Sequence, residues 1–160
     1  MDRPAFNDIF MELAVSLAKR SHCLKRHVGA VLTKETRIIS IGYNGPPPGT
    51  HNCDEEWPDE GCARDSKGGC SLAIHAEQNA ILYAVKNKTS VEGATLYVTL
   101  SPCLSCARII YSMGIEKVIF LNSYAAYKGL TEDEGVEFLR KFGVKTEQYE
   151  GEINHATELT

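Results

Sequence analysis

No stretch of this chain is apolar for anything near the roughly 20 residues a membrane-crossing helix needs. Basic residues are also scarce: 17 Lys and Arg stand against 21 Asp and Glu, a formal charge of −4. The first absence argues against a helical membrane protein. The second disfavours long nucleic acid as a partner, because proteins that track phosphate backbones carry a basic excess. Internal repeats, low-complexity stretches and long blocks of one charge are missing too, which sets aside repeat arrays and charged tails. The start, Met1-Asp2-Arg3-Pro4, lacks the basic n-region of a secretory signal, and Asp8, Glu12, Lys19 and Arg20 break the apolar positions that follow. The expectation is a cytoplasmic protein in a reducing compartment. Six cysteines there serve as ligands or reactive groups rather than as bridges.

What is present fits one globular unit over residues 1–160. The chain is 43% hydrophobic and 24% charged, and its length allows one core without disulfide staples. Residues 4–19 read as an amphipathic helix with Phe6, Ile9, Phe10, Leu13 and Leu17 on one face and Pro4 in its first turn. Val28–Leu32 and Ile38–Ile41 flank Lys34-Glu35 as a hairpin. A long loop follows over 44–73, with five Gly, four Pro and three Cys between 44 and 70. A loop of that length in a compact domain calls for a function or a metal clip. A helix at 74–86, a strand at 95–100, a helix at 102–113 and a strand at 117–121 come next. Thr131 with Glu134 reads as a capping box opening a last helix that Gly143 closes, Val144–Tyr149 as an edge strand, and 150–160 as a loosely held tail. The alternation predicts an α/β fold: a mixed sheet with helices on both faces.

The sharpest chemical signal is His75-Ala76-Glu77, with Pro102-Cys103-Leu104-Ser105-Cys106 beginning 25 residues after Glu77. One imidazole and two thiolates are three protein ligands, the set that leaves a catalytic zinc an open position for water. Pro102 at the first helical position would put both thiols at a helix N-terminus, where the dipole favours thiolate. Two residues apart on a helix is about 200° of rotation, so His75 and Glu77 share a site only if the helix begins beside His75. Ala80, Ile81 and Ala84 continue the face of Glu77, which predicts a desolvated carboxylate with a raised pKa, suited to moving protons. Two thiolates cancel the zinc charge and acidify its water less than three histidines would, so a nearby base is needed. A redox C-x-x-C or a structural zinc knuckle would use the cysteines alone and leave His75 and Glu77 without a role.

The spelling H-x-E with P-C-x-x-C resembles that of zinc nucleobase deaminases. Val28-Gly29-Ala30-Val31, Gly42-Tyr43-Asn44-Gly45, His75 to Ile81, Glu92 to Thr99 and Ser101-Pro102-Cys103 together resemble the cytidine and deoxycytidylate deaminase family, in its dCMP-specific bacterial and phage branch. The resemblance spans roughly residues 8–150. It implies a five-stranded sheet between helices in a three-layer αβα arrangement, and hydrolysis of dCMP to dUMP and ammonia, supplying thymidylate synthesis. It also implies His75, Cys103 and Cys106 as holders of the catalytic zinc, with Glu77 moving protons from water to the ring and to the leaving amino group. Asn44 resembles a sugar and pyrimidine contact, with Ala76 and Ser101 beside it; an Asn turn between glycines is its plainer reading. Lys25 or Arg26, with Tyr124 as a hydroxyl donor, would meet the phosphate, although surface cations are often only solvated.

Two-zinc relatives have ligands at positions resembling Cys23 and Cys53, and some have Cys where Cys62 and Cys70 stand. Four thiolates would close a structural zinc that pins the loop, with His51 in reserve. The spacings alone fit no short finger pattern and leave free thiols as the simpler reading. The resemblance further implies hexamers, activation by dCTP and inhibition by dTTP, with effector contacts at Gly42, Tyr43, Asn44 and Gly45. Three rivals stay open. Cytidine deaminases tend to have Cys in place of His75 and lack the cysteine-bearing loop. The tRNA adenosine deaminases favour Pro-Cys-x-Met-Cys and a basic surface, whereas Ser105 and the acid excess point elsewhere. A zinc-stapled interaction module would have no need of Glu77.

Overall fold

The computed structural model describes residues 3–153. Most of the expected tail at 150–160 therefore lies outside the described residues. Eleven elements follow in order: α1 (Phe6–Ala18), β1 (Gly29–Lys34), β2 (Arg37–Tyr43), α2 (Cys53–Glu56), α3 (Ala76–Lys86), β3 (Thr95–Leu100), α4 (Leu104–Ser112), β4 (Lys117–Asn122), α5 (Tyr124–Lys128), α6 (Glu134–Lys141) and β5 (Lys145–Gln148). The five strands form one sheet in the order β2-β1-β3-β4-β5. β1 lies antiparallel to β2 and β3, while β3–β4 and β4–β5 are parallel, as the helical crossovers between them require. The expected mixed sheet and hairpin are both present. Glu35 and Thr36 turn the hairpin with φ of 48° and 63°, the doubly positive geometry that matches strand twist. β5 takes the sheet edge, as its alternating sequence suggested.

Strand side chains alternate between faces, and the core divides accordingly. Ala30, Leu32, Leu96, Val98, Val118 and Phe120 pack under α3, α4 and α6. Val31, Tyr97 and Ile119 meet Phe10, Met11 and Ala14 of α1 on the other side. The phenols of Tyr97 and Tyr149 fasten α1 by donating to Asn7 Oδ1 at 2.8 Å and to Asp8 Oδ1 at 2.6 Å.

Several boundaries differ from expectation. α1 starts at Phe6 behind Ala5, so Pro4 lies outside it, and it buries Phe10, Met11, Ala14, Val15 and Ala18. Phe6 is 54% exposed and Ile9 40%. The hydrophobic pattern did not distinguish bulk from fit: Ala14 and Ala18 join Phe10 and Met11 in the buried face, and Phe6 and Ile9 move to the rim. Pro102 precedes the cap residue Cys103 rather than opening α4. Asp133, not Thr131, caps α6, which begins at Glu134. The helix α5 and the single turn α2 within the long loop had no counterpart in the sequence reading.

Gly42 lies where β2 passes under α3. A Cβ there would stand 2.4 Å from the Ala76 carbonyl oxygen and 2.6 Å from the Ala80 nitrogen, both backbone atoms that cannot step aside. Ser40 joins the same contact by donating to the Ala80 carbonyl at 2.6 Å. Gly42→Ala is expected to lower unfolding free energy by about 1–3 kcal/mol through overpacking. Urea denaturation should show a lower midpoint with the m-value retained.

Candidate active site

Two helix beginnings converge at one end of the sheet. His75 is extended (φ −68°, ψ 154°) and caps α3, and its N–H donates to the Gln78 side-chain carbonyl at 3.2 Å. Cys103 is likewise extended and caps α4, placing Cys106 in the first turn. The start of α3 at His75 is what the 200° argument required. It lets the imidazole and the Glu77 carboxylate, in the first turn beyond, face one cavity.

His75 Nδ1 lies 3.2 Å from Cys106 Sγ and 3.6 Å from Cys103 Sγ, and all three ligand atoms are within 4.8 Å of one another. Tetrahedral zinc with ordinary Zn–N and Zn–S bonds would set nitrogen and sulfur ~3.5 Å apart. The trio fits the ion. Hydrogen bonds from Cys106 and then His75, acting against burial, bring the Cys103 thiol down to about 4. Its bond to Cys103 and its burial push the Cys106 thiol upward. His75 rises through its bond to Cys103.

Glu77 is 4% exposed, and burial pushes its carboxyl up to about 7, against the pull of its own backbone N–H and of His75. It lines a cavity of about 510 Å³ together with His75, Ala76, Ser101 and Cys103. Lys25, Arg26, Asn44, Tyr124 and Tyr127 line the same cavity. The residues expected around a substrate are thus brought together. Among the described residues neither Lys25 nor Arg26 has a carboxylate within ion-pair distance. The Arg26 guanidinium lies 3.8 Å from the centroid of the Tyr127 ring and 5.2 Å from that of Tyr124, an arrangement that orients it without neutralising it.

Asn44 is buried and bridges backbone: Oδ1 accepts from the Val28 N–H at 2.8 Å and Nδ2 donates to the Arg26 carbonyl at 2.9 Å. One further valence remains on each atom. The Ser101 hydroxyl is engaged by the scaffold, accepting from the Tyr124 N–H at 2.7 Å and donating to Asp133. Of the segment expected to touch effectors, Asn44 reaches the cavity. Gly42 is sealed against α3, the Tyr43 carbonyl accepts from Asn79 Nδ2 at 2.8 Å, and Gly45 exchanges backbone bonds with Ile74.

The loop cysteines are all unbridged. Cys53 is buried, and its thiol is raised first by burial and then by Cys70, Cys23 and Cys62 around it. The four therefore share a neighbourhood, but among the described residues they do not close into a cluster as tight as the catalytic trio; the other such set is His22, Asp54 and Glu55. His22 Nδ1 meets Asp54 at 2.9 Å, tying the segments of Cys23 and Cys53 together. His51, held in reserve, instead pairs with Glu56 at 3.7 Å in solvent. Tyr127 was missed in the sequence; its signal was the three-residue spacing from Tyr124.

Residues 5–122 match the family model described as the cytidine and deoxycytidylate deaminase zinc-binding region. The chain belongs to the cytidine and deoxycytidylate deaminase family. Within that family it is 38% identical to a deoxycytidylate deaminase of Schizosaccharomyces pombe over 92% of this chain and 45% of the yeast protein. It is 36% identical to that of Enterobacteria phage T2 over 84% of this chain and 87% of the phage protein. It thus spans about half the length of the yeast relatives it matches. The deaminase of cyanophage S-TIM5, solved with dCMP and dUMP, superposes with a TM-score of 0.76 at 29% identity, covering 93% of this chain and all of that one. Among the described residues no helix is long and apolar enough to cross a membrane.

Proposed function

We propose that the chain catalyses the zinc-dependent hydrolysis of dCMP to dUMP and ammonia in the cytoplasm, supplying dUMP for thymidylate synthesis. One observation carries the reading: a buried carboxylate beside a trio of zinc-ligand side chains, in a cavity also lined by Lys25 and Arg26, which have no carboxylate partner among the described residues. Names of the family relatives support the same substrate. Zinc, when held by His75, Cys103 and Cys106, supplies the Lewis acidity that makes water a nucleophile near neutral pH. With its oxygen added to C4, that water would give one proton through Glu77 to N3 of the cytosine and its second proton through Glu77 to the amino nitrogen, which leaves as ammonia as the C4–N bond breaks. Desolvation suits it to both directions of transfer, because its pKa lies near working pH. Asn44 offers its remaining donor and acceptor to the sugar, Ala76 and Ser101 border the ring, and Lys25, Arg26 and Tyr124 meet the phosphate.

A second zinc on Cys23, Cys53, Cys62 and Cys70 belongs to this reading, supported by the shared neighbourhood of their thiols. So do hexamer assembly and control by dCTP and dTTP through residues 42–45. The test offers purified zinc-loaded protein dCMP, deoxycytidine, cytidine and a tRNA, and measures ammonia release. Rapid release from dCMP alone, raised by dCTP and lowered by dTTP, is expected. Faster release from a nucleoside or the tRNA would reassign the substrate, and inertness towards all four would leave a binding module.

A further inference from the structure

Past the deaminase signature, Asp133 sits before α6 with its carboxylate turned away from its own helix: it makes no capping bond there. Its Oδ2 instead accepts from the Ser101 hydroxyl and, at 3.1 Å, from that of Ser123. Each serine passes the contact on. Ser101 is 2% exposed, and its oxygen accepts the Tyr124 N–H at 2.7 Å. Ser123 caps α5 by accepting the Ala126 N–H at 3.3 Å. Both bonds fix the first turn of the helix whose Tyr124 and Tyr127 rings flank Arg26.

The carboxylate itself is held against movement. Two residues on, Gly135 lets α6 press on the ligand-bearing loop, where a Cβ would fall 1.9 Å from the Pro102 carbonyl oxygen. A helix of five residues cannot hold itself in water, because so short a segment does not repay nucleation. The position of α5 therefore depends on these tertiary bonds, and charge-assisted ones are about twice as strong as neutral ones.

We propose that Asp133 is a positioning residue for substrate binding: through Ser101 and Ser123 it sets α5 so that Tyr124 and Tyr127 aim the Arg26 guanidinium into the cavity. This rests on the reading that Arg26 meets the phosphate of dCMP. Asp133 touches neither substrate nor metal ligand, so its loss acts on binding more than on the chemical step.

The test uses the full zinc-loaded chain with Asp133→Ala, and Asp133→Asn as the shape-preserving variant should the first fold poorly. Asp133→Ala is expected to raise KM for dCMP about tenfold and change kcat less than threefold, since it removes ground-state binding. The Asn variant should fall between it and wild type. Calorimetric affinity for dUMP should drop by the same factor with zinc content unchanged, and the preference for dCMP over deoxycytidine should narrow equally. Adding Tyr127→Leu to Asp133→Ala should cost little more, because both act on one guanidinium. Hydrogen exchange of residues 123–128 should quicken in both Asp133 variants, a readout that needs no substrate. Unchanged exchange overturns the inference, as does an equal loss on dCMP and deoxycytidine or a loss of zinc that tracks kcat. Wild-type inertness towards dCMP with quickened exchange in the variants would instead remove the substrate reading and keep the brace.

Discussion

Glu77→Gln is expected to cut dCMP turnover by about 10²–10⁴, the range associated with a general acid–base, and to leave the zinc in place. Glutamine keeps the shape and the first-turn position of the residue in α3, but it cannot accept a proton from water or hand one to a departing amine. The three ligand atoms are untouched, so zinc content should equal that of the wild type, and dUMP should still bind. The pairing of these results is what makes the test decisive. Lost turnover with lost metal would mean that Glu77 supports the trio; retained turnover would remove it from the chemistry. The burial of Glu77, 4% exposed, is the reason for expecting so large an effect, since bulk water is held back from substituting for the missing base.

Cys106→Ser should take away one zinc per chain and bring turnover to background. Cys106 is buried in the first turn of α4 with His75 Nδ1 at 3.2 Å, and a serine hydroxyl at that place stays protonated and binds zinc poorly. Elemental analysis should find two zinc atoms per wild-type chain and one in the variant, the remaining ion being held by the loop thiols. Chelation of the wild type should abolish turnover, and added zinc should restore it. A Cys106→Ser protein that keeps both its metal count and its rate would overturn the metal centre. A wild-type count of one would leave the trio standing and make Cys23, Cys53, Cys62 and Cys70 simple thiols.

The parts of the site that the sequence disclosed are those set by short-range geometry. The two-residue offset between His75 and Glu77 admitted one helix register, and α3 adopts it. The order of strands and crossovers was similarly legible, because β-branched runs and helical periodicity alternate in the chain. What stayed hidden depends on contacts between distant segments. Thr131 with Glu134 had the spelling of a cap, but Asp133 took that position while its carboxylate served Ser101 and Ser123. Helix α5 has too few residues to reveal a period, and its stability comes from Ser123, from Gly129 in the left-handed region and from Ser101. The buried face of α1 turned on alanines, which a pattern of large apolar residues undervalues. Arg26 could be nominated as a cation near the right strand, but its stacking on Tyr127 required coordinates.

The cavity is walled by residues from the connections and first helical turns beyond the strands, with Leu100 at a strand tip. The sheet interior is committed to two apolar layers, which share with the cavity only Ala76 and, at their margin, Val28. Ligand choice and folding are therefore governed by largely separate sets of amino acids. Lys25, Arg26, Tyr124 and Tyr127 can be exchanged for other side chains without opening a void in either layer. The same scaffold can accordingly acquire a different appetite through a handful of rim substitutions, and a library confined to those four positions should remain folded while its preferences diverge.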